Sequence, residues 1–148
     1  MIILDTNVIS EPMKAQADPA VAAWLDRQAA ETLYLTATNL SEMLLGVELL
    51  PDGKRKRAMA AAMQELLAGL FGTRLLAFDR EAAAAYAFLA ARATAKGFTV
   101  GVADGQIAAI AAVHGFTVAT RDTAPFLAAG VPVVNPWEVR ETLNKCVL

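Results

Sequence analysis

Short apolar runs alternate along the chain with longer segments whose apolar residues recur at helical spacing. The short runs predict buried strands at residues 1–4, 33–36, 75–78, 116–120 and 131–134. The longer segments predict helices at residues 18–25, 38–50, 54–71, 79–96, 103–114 and 125–129. Strands that alternate with helices indicate a parallel sheet covered by helices on both faces. We therefore predict an α/β fold built on one central parallel sheet.

Capping residues and helix breakers mark the boundaries of these elements. Asp18 precedes Pro19, a pair typical of a helix cap followed by a first-turn proline. Residues 51–53, Pro-Asp-Gly, separate two helices, and Gly115 ends another. Pro132 favours an edge position for the last strand. Because no internal repeat, low-complexity stretch or linker interrupts this order, we expect residues 1–148 to form a single domain.

Composition and charge exclude several classes of protein and of metal site. Hydrophobic residues make up 56% of the chain, but many are alanine, which favours close-packed helices, and no run of about 18 large apolar residues occurs. The start lacks the pattern of a signal peptide, so we expect a cytoplasmic protein with no membrane association. The single Cys146 excludes an internal disulfide, and one histidine without a cysteine set excludes the usual zinc sites. With a net charge of −2, any binding of nucleic acid needs a local basic patch, a bridging metal or a partner.

Four carboxylates stand where the predicted sheet would bring them together. Asp5 follows the first strand, Glu42 lies in the first turns of a helix, Asp104 opens another helix, and Asp122 follows the strand at residues 116–120. The carboxyl ends of parallel strands and the amino ends of the following helices meet at one crevice. Like charges gathered there need a cation or a shared proton. A divalent metal is the simplest answer, and it indicates an enzyme that acts on phosphate.

Each of these carboxylates also has a purely structural explanation. Asp5 and Asp122 are of a residue type favoured in turns and helix caps. Glu42 has Asn39 three residues before it, which fits a capping box, and Asp104 suits the positive end of a helix dipole. Their joint placement at one end of the predicted sheet has no such explanation, so we favour the metal site.

Five segments, taken in order, are similar to the motifs of one family. They are residues 4–10, residues 40–42 with Gly46, residues 103–109, residues 119–122 with Phe126, and residues 135–137. In this order and at this length the chain resembles the PIN-domain family, and within it the VapC/FitB-type toxins of bacterial toxin–antitoxin pairs. The resemblance covers nearly the whole chain. It implies a small α/β/α sandwich.

The resemblance also implies a ribonuclease that depends on Mg²⁺, with Mn²⁺ as a substitute, and that a cognate antitoxin carrying a DNA-binding domain neutralises. A homodimer, or a hetero-oligomer with the antitoxin, is expected. The catalytic quartet falls on Asp5, Glu42, Asp104 and Asp122; Asp5 and Asp104 bind the metal, and Glu42 and Asp122 bind it directly or through water. The resemblance gives supporting roles to Thr6, Asn7 and Thr120. Arg121 is a candidate contact to RNA phosphate for a separate reason, because its neighbour Asp122 lies at the predicted crevice.

Some features depart from the family or leave other hypotheses open. Similar members commonly carry arginine just after the glutamate, where this chain has residues 43–45, Met-Leu-Leu. The basic residues 54–57 form either a solvated face or a contact to RNA or a partner. An RNA-processing PIN nuclease without an antitoxin and a non-catalytic RNA-binding module are the alternatives within the family. A dehalogenase-like phosphatase needs an aspartate where Asn7 stands, and a receiver domain needs a lysine after a late strand, where Arg121 stands.

Overall fold

A parallel sheet of five strands forms the centre of the molecule in a computed structural model that describes residues 1–139. The strands follow the order β3-β2-β1-β4-β5, so the first strand lies in the middle of the sheet. Neighbouring strands are parallel throughout. Their bounds are β1 Ile2–Leu4, β2 Leu33–Thr36, β3 Leu75–Leu76, β4 Thr117–Ala119 and β5 Val133–Val134.

Helices connect the strands and cover both faces of the sheet. They are α1 Thr6–Ser10, α2 Pro19–Asp26, α3 Ala37–Glu48, α4 Lys54–Leu66, α5 Arg80–Ala95, α6 Val102–His114 and α7 Ala124–Ala128. Short 3-10 turns lie at Glu11–Met13 and Ala30–Thr32, and a π-helical turn at Leu67–Phe71 extends α4. The predicted α/β architecture with one central parallel sheet is therefore confirmed.

Alternation of side chains along β1 divides the hydrophobic core into two layers. Leu4 faces the layer formed with α1, α2, α3 and α4, whereas Ile3 faces the layer formed with α5, α6 and α7. Successive residues of a strand point to opposite faces, so a strand buried on both sides is apolar throughout. Val118 of β4 and Leu35 of β2 are fully buried for the same reason.

Most predicted elements exist within a few residues of the expected bounds, and the differences have local causes. Helix α1 was not predicted, because a five-residue helix is too short to show a helical period. The predicted strand at residues 75–78 is only two residues long, since Asp79 already caps α5 by accepting a hydrogen bond from the Ala82 amide. Residues 140–148, which include Cys146 and the end of the predicted domain, lie outside the described residues.

The apolar residues of α3 divide between the core and the surface. Met43 and Val47 are buried, whereas Leu44, Leu45 and Leu49 are 45%, 58% and 75% exposed. One side of α3 thus belongs to the core, and the other presents leucine to the outside. Among residues 1–139 no helix is both long enough and apolar enough to cross a membrane.

Candidate metal and active site

The site lies where the chain connections reverse direction across the sheet. From β1 the strand order runs to β2 on one side and to β4 on the other, which creates a crevice at the carboxyl ends of β1 and β4. Asp5 follows β1 and Thr120 follows β4, and the Asp5 amide donates to the Ala119 carbonyl at 2.9 Å. The topology therefore places these two side chains together at the crevice.

Asp5 is held by hydrogen bonds to both of its carboxylate oxygens. Oδ1 accepts from the Thr6 amide at 2.8 Å and from Asn39 Nδ2 at 3.1 Å. Oδ2 accepts from Thr120 Oγ1 at 2.8 Å and from Asn7 Nδ2 at 3.3 Å. The side chain is also the N-cap of α1, so the structural explanation of Asp5 is confirmed, and the predicted functional role stays compatible with it. With only 7% of its surface exposed, Asp5 keeps a fixed orientation.

Glu42 projects into the same crevice from α3. Its Oε2 accepts a hydrogen bond from Thr6 Oγ1 at 2.9 Å. The capping-box explanation of Glu42 is wrong, because Thr36 is the N-cap of α3 and its hydroxyl accepts from the Asn39 amide. Glu42 lies a turn further along, where no unpaired helix amide needs it, so no capping role explains its position.

Asp104 and Asp122 complete the acidic group. Asp104 is in the first turn of α6, and its pKa is raised by burial and, to a smaller extent, by the charges of Asp5, Asp122 and Glu42. Asp122 is exposed, and its amide donates to Thr120 Oγ1 at 3.1 Å. Burial and the neighbouring negative charges therefore both favour the neutral form of the Asp104 carboxyl.

All four predicted carboxylates line one open cleft of about 460 Å³, together with Thr6, Asn7 and Ser10. Within residues 1–139, no three His, Cys, Asp or Glu side chains are arranged to hold an ion among themselves. Mg²⁺ in proteins is usually bound by one or two carboxylates and keeps several waters. The hard oxygen donors fit that ion, and the catalytic and metal roles of these residues stay predictions.

The chain is similar to known proteins over most of its length. The sequence pattern of the PIN domain matches residues 2–143. The chain belongs to the PIN-domain family. The VapC ribonuclease Y4jK of Sinorhizobium fredii is 52% identical over 139 residues, which cover 93% of this chain and 99% of that protein. Toxin FitB of Neisseria gonorrhoeae is 47% identical, with the same coverage of 93% and 99%.

Solved structures agree with the sequence relatives. A structure of FitAB bound to an IR36 DNA fragment contains a chain that is 47% identical and superposes with a TM-score of 0.91. The match covers 96% of this chain and 99% of that chain. The predicted similarity to the VapC/FitB-type branch is therefore confirmed, and the PIN fold extends over the described residues.

Sequence reasoning missed two polar residues of this PIN domain's cleft. Asn39, fully buried, donates to Asp5 and to Thr6 Oγ1 and so joins α3 to the end of β1. Ser10 lines the cleft, and its hydroxyl donates to the Thr6 carbonyl at 2.8 Å. The spacing of Asn39 to Glu42 had suggested a capping box instead, and no local pattern marked Asn39 as a hydrogen-bond partner of Asp5.

The predicted basic residues differ in their surroundings. Lys56 donates to the Glu48 carbonyl at the end of α3 at 3.0 Å and lies within 4 Å of two carboxylates, so it stabilises the α3–α4 connection. Arg121 lies beside the acidic cleft, where its amide donates to Asn7 Oδ1 at 3.2 Å. The Cζ atom of its guanidinium lies over the Trp137 ring, 5.3 Å from the centroid. Trp137 is therefore a further residue next to the site whose individual role the sequence did not indicate.

Proposed function

We propose that this PIN domain is a Mg²⁺-dependent ribonuclease, with Mn²⁺ as a substitute ion, and the toxin of a toxin–antitoxin pair. The observation that carries the proposal is the gathering of Asp5, Glu42, Asp104 and Asp122 in one cleft. It is supported by 52% identity to a VapC ribonuclease over nearly the whole of both chains. A non-catalytic module would not need to keep this costly group of like charges.

In this proposal Asp5 and Asp104 bind the ion, and Glu42 and Asp122 contact it directly or through water. When bound, a divalent ion would activate water and neutralise the charge that develops on the scissile phosphate. The hydrogen bonds to Asp5 fix that ligand before the ion arrives, and Thr6 orients Glu42. Hydrolysis of the phosphodiester by water needs no protein nucleophile.

The proposed partner is a cognate antitoxin that carries a DNA-binding domain. Support comes from the FitAB structure, in which the complex is bound to DNA. Leu45 in α3 and Leu49 at its C-cap offer an exposed apolar surface on the helix that also carries Glu42. A partner that covers this surface would lie next to the cleft. An RNA-processing nuclease without an antitoxin has no comparable observation in its favour.

Cleavage of total RNA tests the enzymatic part. The purified protein is incubated with RNA and Mg²⁺ or Mn²⁺, and new 5′ ends are mapped. We expect Asp104→Asn to abolish cleavage, because it removes a ligand charge at nearly constant shape. Glu65→Gln, the same kind of change on an exposed residue of α4 outside the cleft, should cleave normally. EDTA should stop cleavage and Mn²⁺ should restore it, so equal cleavage in chelator would refute the metal mechanism.

Co-expression tests the partner. If a short reading frame next to this gene encodes an antitoxin, its product should co-purify with the protein and suppress cleavage. The double substitution Leu45→Glu and Leu49→Glu should weaken that complex, whereas Phe88→Glu, at an equally exposed apolar position on α5, should not. A complex that tolerates the α3 changes and loses binding with the α5 change would place the partner elsewhere.

A further inference from the structure

We propose that Arg121, held in place by Trp137, is a substrate-positioning residue that binds a backbone phosphate of single-stranded RNA next to the acidic cleft. The inference rests on the proposed function and adds to it a cationic contact, which none of the described residues that line the cleft supplies. Carboxylates alone repel the RNA backbone, and the net charge of the chain is −2. An RNA strand therefore needs a local positive charge at the edge of the cleft.

Trp137 is fixed independently of Arg121. Its amide donates to Asn135 Oδ1 at 3.1 Å, and the Glu138 amide donates to the Asn135 carbonyl at 3.0 Å, which forms a tight turn. Pro136 within this turn is buried, and the indole packs against the hydrophobic layer that contains Leu4. One side of the Trp137 ring is thus anchored on the core, and the ring provides a rigid surface for the guanidinium.

Arg121 is connected to the carboxylate network through its main chain. Asn7 accepts from the Arg121 amide through Oδ1, and its Nδ2 donates to Asp5 Oδ2 and to Thr120 Oγ1. The next residue, Asp122, lines the cleft. The Asn7 side chain therefore positions both Arg121 and Asp5, and so fixes where the cationic group lies relative to the acidic cleft.

The contact with Trp137 leaves the donors of the guanidinium available. The Cζ atom of Arg121 lies 5.3 Å from the Trp137 ring centroid, and an aromatic ring attracts a guanidinium through its quadrupole while it supplies no oxygen acceptor for the five N–H donors. Arg121 is exposed, and among residues 1–139 no carboxylate lies within 4 Å of its guanidinium. The hydrogen bond from Lys14 is the main cause that lowers the pKa of Glu11, and the charge of Arg121 adds to this lowering at longer range. The planar fork matches two phosphate oxygens. The Trp137 ring thus removes rotational freedom from the arginine without consuming the charge that RNA would bind.

RNA binding by a cleavage-deficient protein tests the inference directly. In the Asp104→Asn background, anisotropy of a fluorescent single-stranded RNA of mixed sequence gives Kd over a range of salt concentrations. We expect Arg121→Gln to weaken binding by about 10- to 100-fold, as loss of charge-assisted hydrogen bonds does. The slope of log Kd against log salt should decrease by about 0.7–1, which corresponds to one phosphate contact. Arg121→Lys should keep the slope but bind more weakly.

Trp137 should act only through the arginine. Trp137→Leu should weaken RNA binding by about 2- to 5-fold, the size of an exposed cation–π contact. It should have no effect when Arg121 is already glutamine. In the otherwise unchanged enzyme, Arg121→Gln should raise KM and leave kcat nearly constant, because the contact binds substrate and transition state alike. A thermal melt of each variant separates these effects from a loss of folding.

Arg80→Gln is the charge-matched control, since Arg80 is exposed at the start of α5 and does not line the cleft. Equal losses for Arg80→Gln and Arg121→Gln would overturn the inference by showing a general charge effect. If the unchanged enzyme cleaves RNA but Arg121→Gln in the Asp104→Asn background leaves Kd and the salt slope unchanged, this inference is overturned and the proposed function stands. A protein that neither binds nor cleaves RNA would overturn the proposed function, and this inference with it.

Discussion

Replacing Thr120 with valine removes one hydroxyl group from beneath the acidic cleft at nearly constant shape. Thr120 is completely buried, and its Oγ1 donates to Asp5 Oδ2 at 2.8 Å. The same oxygen accepts from the Asp122 amide at 3.1 Å and from Asn7 Nδ2 at 3.4 Å. The substitution therefore takes a donor from a carboxylate and an acceptor from two N–H groups.

The expected loss of stability is that of a hydrogen bond to a charged group, about 1.5–3 kcal/mol. For a chain of 148 residues this corresponds to a decrease in Tm of about 3–12 °C. Because the hydroxyl also orients Asp5, Mn²⁺ affinity should decrease by about 10- to 100-fold, as for other residues that hold a metal ligand. Thr120→Ser keeps the hydroxyl and should retain Mn²⁺ binding, at a stability cost of about 0.8 kcal/mol for the lost methyl group.

Thr38→Val is the matched control for this experiment. The Thr38 hydroxyl is also buried, but it donates to the neutral Gln106 Oε1 at 3.1 Å and does not line the cleft. It should therefore lower the free energy of unfolding by only about 0.5–1.5 kcal/mol and leave Mn²⁺ affinity unchanged. Urea unfolding of the metal-free proteins and calorimetric titration with Mn²⁺ measure the two quantities. A Thr120→Val protein that binds Mn²⁺ as tightly as the unchanged protein would refute the orienting role.

Two further predictions concern α6 and its neighbours. Gly105→Ala should lower the free energy of unfolding, because the added Cβ would lie 2.6 Å from Cε2 of Tyr86, and overpacking costs about 1–3 kcal/mol against a helix-propensity gain of up to about 1 kcal/mol. Gly46→Ala, with nothing within 4 Å of the new Cβ, should instead raise it in the same urea titration, and equal effects would contradict the packing. Asp104→Asn should raise the Tm of the metal-free protein at neutral pH. Because the pKa of Asp104 is raised in the folded protein, its protonated form contributes stability that is fully present below the ordinary pKa of 3.8. That contribution is lost as pH rises through the raised value. Melts across a pH series should therefore show a gap between variant and unchanged protein that widens towards alkaline pH, and a gap that widens towards acid would contradict the sign.

Features that depend on neighbouring residues could be predicted from the sequence. The apolar run at residues 2–4 and the Asp18–Pro19 pair mark their elements locally, and both elements form as expected. The gathering of Asp5 and Asp122 could also be predicted, because the ends of parallel strands meet at one crevice. These inferences need only residue type, period and topology.

Contacts between distant side chains could not be predicted in the same way. Asn39 binds Asp5 across 34 positions of sequence, and no local pattern distinguishes that amide from a capping residue. Trp137 lies under Arg121 only because the turn at Asn135 and the end of β4 come together in space. The exposure of one side of α3 could not be predicted either. A helix with leucine on both sides has the same composition whether or not other elements cover its second side.

The hydrogen bond between Thr120 and Asp5 joins residues 115 positions apart. During synthesis, the central strand and its aspartate are translated well before β4 and the groups that follow it. The acidic cleft therefore cannot assemble until the ribosome has passed Asp122. A nascent chain that stops before Thr120 carries the Asp5 carboxylate without the hydroxyl that holds it.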